Sequence, residues 1–79
     1  MNIKLLLFGS VADAVGFRNR AMTVRDSVSV DSVLDEFRSS YPQLSTQTLL
    51  VAVNEQYADA GRPLHDGDEV AIFTPVSGG

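Results

Sequence analysis

Apolar residues recur along this chain at two spacings, every second position in some stretches and every third or fourth in another. Residues 2–8, NIKLLLF, are short, apolar and bounded by Gly9-Ser10, which predicts a strand with one buried face. Alternation puts Ile3, Leu5 and Leu7 on one side and Lys4, Leu6 and Phe8 on the other. VADAVG, 11–16, predicts a single helical turn closed by Gly16. RNRAMTVR, 18–25, is mixed but suits a strand around Met22, Thr23 and Val24.

The helical period is clearest in the middle of the chain. Val30, Val33, Leu34, Phe37 and Tyr41 follow one another at helical spacing. At about 100° per residue they fall in a single stripe roughly 100° wide. Ser29 suits the N-cap, where its hydroxyl can accept an orphan backbone N–H. Asp31 lies in the first turn, favoured by the positive end of the helix dipole. Pro42 ends the helix, because it lacks an N–H and restricts Tyr41 before it. LLVAV, 49–53, predicts a second buried strand, and 55–68 reads as irregular and turn-rich. Within it, HDGD, 65–68, is a tight turn with Gly67 free to take positive φ. EVAIFT, 69–74, alternates again: Val70 and Ile72 face one way, Glu69, Ala71 and Phe73 the other.

The predicted order is therefore strand, short helix, strand, helix, strand, loop, strand. One main helix cannot cover both faces of a sheet, so an α+β roll with that helix on one face follows. The helix should cover Ile3, Leu5, Leu7, Val70 and Ile72. If the first and last strands are neighbours, Leu6, Phe8, Ala71 and Phe73 form an apolar patch on the open face, continuous with Pro75. Contiguous exposed apolar surface marks partner sites, and aromatic side chains commonly anchor them. Glu69 would give that patch a polar rim. The segments 9–16 and 55–64 are the ones that could cover Leu6 and Phe8 instead.

Composition narrows the chemistry. A length of 79 residues suits one domain. The absence of cysteine excludes disulfides, thiol catalysis and Cys-based zinc sites, and fits a cytoplasmic location. No apolar run approaches the ~20 residues of a membrane span. Ten acidic residues against six basic give a net charge of −4. No basic run stands out, so nucleic acid is not an expected partner, whereas a partner with a positive face is. His65 is the only histidine, beside a turn, with no second ligand at metal spacing. Asp66 and Asp68 flank Gly67 without the rest of a calcium loop, so turn chemistry explains them. No glycine-rich phosphate cradle is present.

The division is into a domain, 1–74, and a tail, 75–79, ending Gly78-Gly79. Two terminal glycines pack nothing. Either the end is frayed, or the terminal carboxylate is the working group. An α-carboxylate, with a pKa of roughly 3.3–3.7, is an anion at neutral pH and resists nucleophiles. Glycines lack Cβ and pass through a narrow channel, while Pro75 and Val76 favour extended reach before them.

LHDGDEVAIFTPVSGG, together with LLLFGSVADAVG near the start and VAVNEQY from Val51, resembles the small subunits of molybdopterin synthase, a family of ubiquitin-like sulfur carriers. The resemblance spans the whole chain in the same order. It implies a β-grasp fold with the first and last strands parallel at the sheet centre. It also implies that an adenylating E1-like enzyme, consuming ATP, activates Gly79, with Gly78 serving passage of the tail. A sulfur donor such as a cysteine desulfurase or rhodanese system then produces a thiocarboxylate. That group gives its sulfur to a pterin precursor in the active site of the large subunit. The chain would be a non-autonomous subunit with no permanently bound cofactor, placed at each end of a large-subunit dimer in a heterotetramer. Leu6, Phe8, Ala71, Phe73, Pro75 and Val76 would seat it on its partners. Two other readings stay open: a carrier feeding thiamine, cysteine or tRNA thiolation, and a ubiquitin-like modifier or interaction module. Lys4 is the only lysine, which argues against self-linked chains.

Overall fold

The computed structural model describes residues 1–59 and 61–75. The elements are β1 (Asn2–Leu7), α1 (Gly9–Val15), β2 (Asn19–Thr23), α2 (Val30–Ser40), a 3-10 turn (Pro42–Leu44), β3 (Leu50–Val53), β4 (Gln56–Tyr57) and β5 (Glu69–Phe73). The strands form one mixed sheet in the order β2-β1-β5-β3-β4. β1 and β5 run parallel, with Leu5 opposite Val70 and Leu7 opposite Ile72. The other pairs are antiparallel. This is the α+β, β-grasp arrangement that the pattern and the resemblance implied.

The inward face behaves as alternation requires. Ile3, Leu5, Leu7, Val51, Val53, Val70 and Ile72 are all buried, in one cluster with Val30, Val33 and Phe37 of α2. Ser29 caps α2, accepting the Ser32 N–H at 3.4 Å. Tyr41 ends the helix and packs against Phe37, ring centroids 5.1 Å apart. Pro42 does stop α2, but it also opens the 3-10 turn, which carries Leu44 into the core with no exposed surface.

Two elements depart from the sequence reading. The first helix is longer than one turn: it starts at Gly9, because the Phe8 carbonyl already accepts the Val11 and Ala12 N–H groups at 3.2 and 3.4 Å. Gly16 closes it as expected, at φ 88°, donating its N–H to Ala12 at 2.9 Å. The second departure lies after Val53. Asn54 and Glu55 both take left-handed φ, 50° and 71°, and form a two-residue turn from β3 into β4. Glycine usually marks the second position of such a turn, and glutamate there hid the hairpin from the sequence reading.

The 65–68 turn does more than reverse the chain. Gly67, at φ 88°, donates its N–H to Asn2 at 2.7 Å, and Lys4 donates to the Asp68 carbonyl at 2.9 Å. Asn2 in turn donates its N–H to Asp66 Oδ1 at 2.6 Å. The turn therefore docks on the start of β1 and sets the parallel register. The Asp68 carboxylate is buried and accepts from His65 N–H at 2.8 Å and Asn54 Nδ2 at 2.9 Å. Those bonds, the His65 N–H foremost, hold its carboxyl below the usual aspartate value despite burial, which acts the other way. Asn54 completes the link by accepting the Glu69 N–H at 3.0 Å.

Candidate functional site

The face of the sheet opposite α2 follows from strand register. Leu6 lies opposite Ala71, Ala71 opposite Ala52, and Ala52 opposite Tyr57. One step further along the strands, Phe73 lies opposite Leu50. Opposed residues share a face, so this side carries Leu6, Leu50, Ala52, Tyr57, Ala71 and Phe73 as one apolar band. Lys4 and Glu69, cross-strand neighbours, close its far end with one charge of each sign.

Phe8 joins the band at the exit of β1. Its N–H reaches the Ile72 carbonyl at 3.4 Å and its carbonyl starts α1, so the backbone is pinned on both sides. The ring stays 50% exposed. Tyr57 is 77% exposed and its ring tilts against Phe73 with centroids 5.8 Å apart. Phe8, Gly9, Phe73 and Thr74 line a shallow hollow of about 480 Å³. Among the described residues, neither 9–16 nor 55–64 closes over Phe8; the second segment extends the surface instead, through Tyr57.

The sequence-predicted residues thus separate into three groups. Leu6, Phe8, Ala71 and Phe73 come together on the open face. Pro75 is exposed just beyond it, and Thr74 is held near α1 by Ser10, their hydroxyl oxygens 3.3 Å apart. Val76, Gly78 and Gly79 lie outside the described residues. Sequence reasoning missed Leu50, Ala52 and Tyr57. The alternation of LVAV carried the signal for the first two, since Leu50 and Ala52 are out of phase with the buried Val51 and Val53. Tyr57 could be placed only with the hairpin turn recognised.

The ThiS family pattern matches residues 5–79. The chain belongs to the ThiS family. Among its relatives is the molybdopterin synthase sulfur carrier subunit of Dictyostelium discoideum, 36% identical over 96% of this chain and 94% of the relative. The subunit of the same name from Escherichia coli is 35% identical over 98% of this chain and 99% of its own length. Among solved structures, SAMP1 of Haloferax volcanii, a small archaeal modifier protein, superposes with a TM-score of 0.84 at 28% identity, over the full length of both chains. The family match includes Gly78 and Gly79, and the β-grasp likeness agrees with the strand order found here.

Proposed function

We propose that this chain is the sulfur carrier subunit of a molybdopterin synthase. The observation that carries the reading is where the C-terminal segment leaves the domain. β5 is a central strand, and it ends at Phe73 beside Phe8, at the edge of the open apolar face. A partner seated on that face receives the segment that follows. The full-length likeness to sulfur carrier subunits supports the same assignment.

In this reading the Gly79 carboxylate attacks the α-phosphorus of ATP in the adenylating partner, and pyrophosphate leaves. The terminal sulfur of the donor's persulfide then attacks the acyl carbon, the C–S bond forms, and AMP departs; a thiol attacks the S–S bond of the resulting acyl disulfide, leaving a disulfide on the donor and freeing the thiocarboxylate. The resulting thiocarboxylate passes its sulfur to the pterin precursor in the large subunit's active site. ATP and pterin sites belong to the partners; this chain supplies the acyl carbon, a narrow approach through Gly78, and the docking face. Intact-mass measurement after incubation with ATP, the adenylating enzyme, a persulfide donor and excess thiol should show one sulfur in place of one oxygen at Gly79. An unchanged mass rejects the carrier role, as does full sulfur transfer by a form with residues permanently added after Gly79.

The likeness to SAMP1 favours one second reading, attachment of Gly79 to lysines of other proteins. Under it, digestion of cell extracts would yield lysine side chains carrying a C-terminal remnant of this chain. The carrier reading yields none.

A further inference from the structure

The open face leaves the outer edge of β2 unused. β2 is an end strand of the sheet, paired only with β1. Leu7 donates its N–H to Arg18 at 2.8 Å and Val24 donates to Met1 at 2.8 Å, so the even-numbered residues of this stretch face β1. By alternation, the N–H and C=O groups of Asn19, Ala21 and Thr23 point outward. Among the described residues, no backbone hydrogen bond reaches them from another element. The other end strand, β4, has only two residues.

Between β2 and α2 runs a groove with two hollows. One, about 260 Å³, is lined by Phe17, Arg20, Met22, Phe37 and Tyr41, among others. The next, about 440 Å³, is lined by Val24, Arg25, Val28 and Val33, with Thr23, Ser32 and Glu36 around them. Alternate residues of a strand advance by roughly 6.7 Å, so a strand laid along β2 would direct successive inward side chains into the two hollows. The rim is basic. Although the chain is acidic as a whole, Arg18, Arg20 and Arg25 lie along this edge, and among the described residues none is in an ion pair. The Arg20 guanidinium stacks 3.9 Å from the centre of the Phe17 ring, which holds it at the rim of the first hollow. Charge alone would merely guard an edge strand. The mainly apolar hollow formed by Phe17, Met22, Phe37 and Tyr41 beside the exposed ladder is what a guarded edge does not need.

We propose that the β2 edge is a second protein-binding site, which takes an extended segment of a partner as an added strand. The segment has apolar side chains at alternating positions and acidic residues at its ends. The ladder supplies affinity, and the hollows and arginines supply selectivity. Glu36 lines both hollows and disfavours an acid at the centre, so the acids belong at the ends. A second copy of this chain does not fit, because pairing β2 with β2 would set three arginines against three. The site lies at the sheet edge and on the helix side, so it can be occupied while the open face is docked. The inference does not rest on the carrier reading.

The probe is the peptide Asp-Asp-Val-Ile-Val-Leu-Asp-Glu, with blocked ends, titrated against the full chain by two-dimensional amide NMR. Binding should shift the amides of Asn19, Ala21 and Thr23 and slow their hydrogen exchange, leaving Tyr57 and Phe73 unmoved. Ala21→Pro removes an outward N–H without touching the β1 ladder, as proline is tolerated on an edge, and should weaken binding about tenfold. Arg20→Glu with Arg25→Glu, which leaves the backbone alone, should weaken it by about tenfold too. The proposal fails if the peptide does not bind, if a scrambled peptide binds equally, or if both variants bind as the parent does. It also fails if the shifts fall on the open face, or if raising the protein concentration alone moves the β2 amides, which would identify a second copy as the occupant.

Discussion

The two faces of the sheet are built from the same strands in the same register, yet they differ in what they are for. Toward α2, Leu7, Val70 and Ile72 keep 1% or less of their surface exposed. On the other side, Phe8 and Tyr57 keep half or more. Both faces are apolar, so hydrophobicity alone does not distinguish core from interface. The difference is the cover: α2 closes one face, and among the described residues nothing closes the other. A domain this small buries a limited fraction of its surface, and the aromatic rings left in water on the open face are what the proposed partner site would cover.

That comparison breaks if core and open-face substitutions act alike. Ile72→Ala removes packing from a side chain with no exposed surface, and should lower stability by about 2–5 kcal/mol in denaturant titration. Phe73→Ala, one residue on, should lower affinity for the proposed large subunit by about 2 kcal/mol or more in calorimetry. It should cost clearly less than Ile72→Ala in stability. Equal loss of stability from the two, with unchanged affinity for Phe73→Ala, would erase the distinction.

The register that sorts residues between the faces is held partly by the 65–68 turn. Asp68→Asn leaves an amide N–H against a donor in that buried cluster and should cost about 1–3 kcal/mol at neutral pH. Because folding lowers the pKa of Asp68 below the ordinary 3.8, its contribution is full above that value. It is lost as pH falls through the folded pKa, since the unfolded chain then binds the proton first. Stability curves of parent and variant should therefore converge on acidification. The smallest effect concerns the hairpin that brings Tyr57 to the open face. Glu55→Gly relieves a left-handed glutamate at φ 71° and should stabilise by about 0.5 kcal/mol, after the added freedom of glycine in the unfolded chain is subtracted. Thermal melting checks this, and affinity for the partner should not fall.

Local pattern was legible where one interaction dominates. The α2 stripe and its Ser29 cap, the phase of β1 and β5, and the Gly67 turn were all readable, because each depends on neighbours a few positions away. Leu44 was not, since a single apolar residue after a proline has no period. β4 was not, since two residues cannot show alternation and Glu55 masks the turn. The arginines of 18–25 showed no more than a mixed stretch until β2 was placed at the sheet edge.

From the sequence alone came the list of residues that share a side of each strand, and the family to which the C-terminal stretch belongs. The resemblance implied that the first and last strands are neighbours; tertiary structure decided the register that brings Phe8 from one end of the chain beside Phe73 from the other, and the pairings that add Leu50, Ala52 and Tyr57 to their surface. The reason is that a strand's alternation is written in its own side chains, whereas pairing between strands runs through backbone N–H and C=O groups that every residue offers alike. Only packing against α2 and the docking of the 65–68 turn on β1 choose among the pairings.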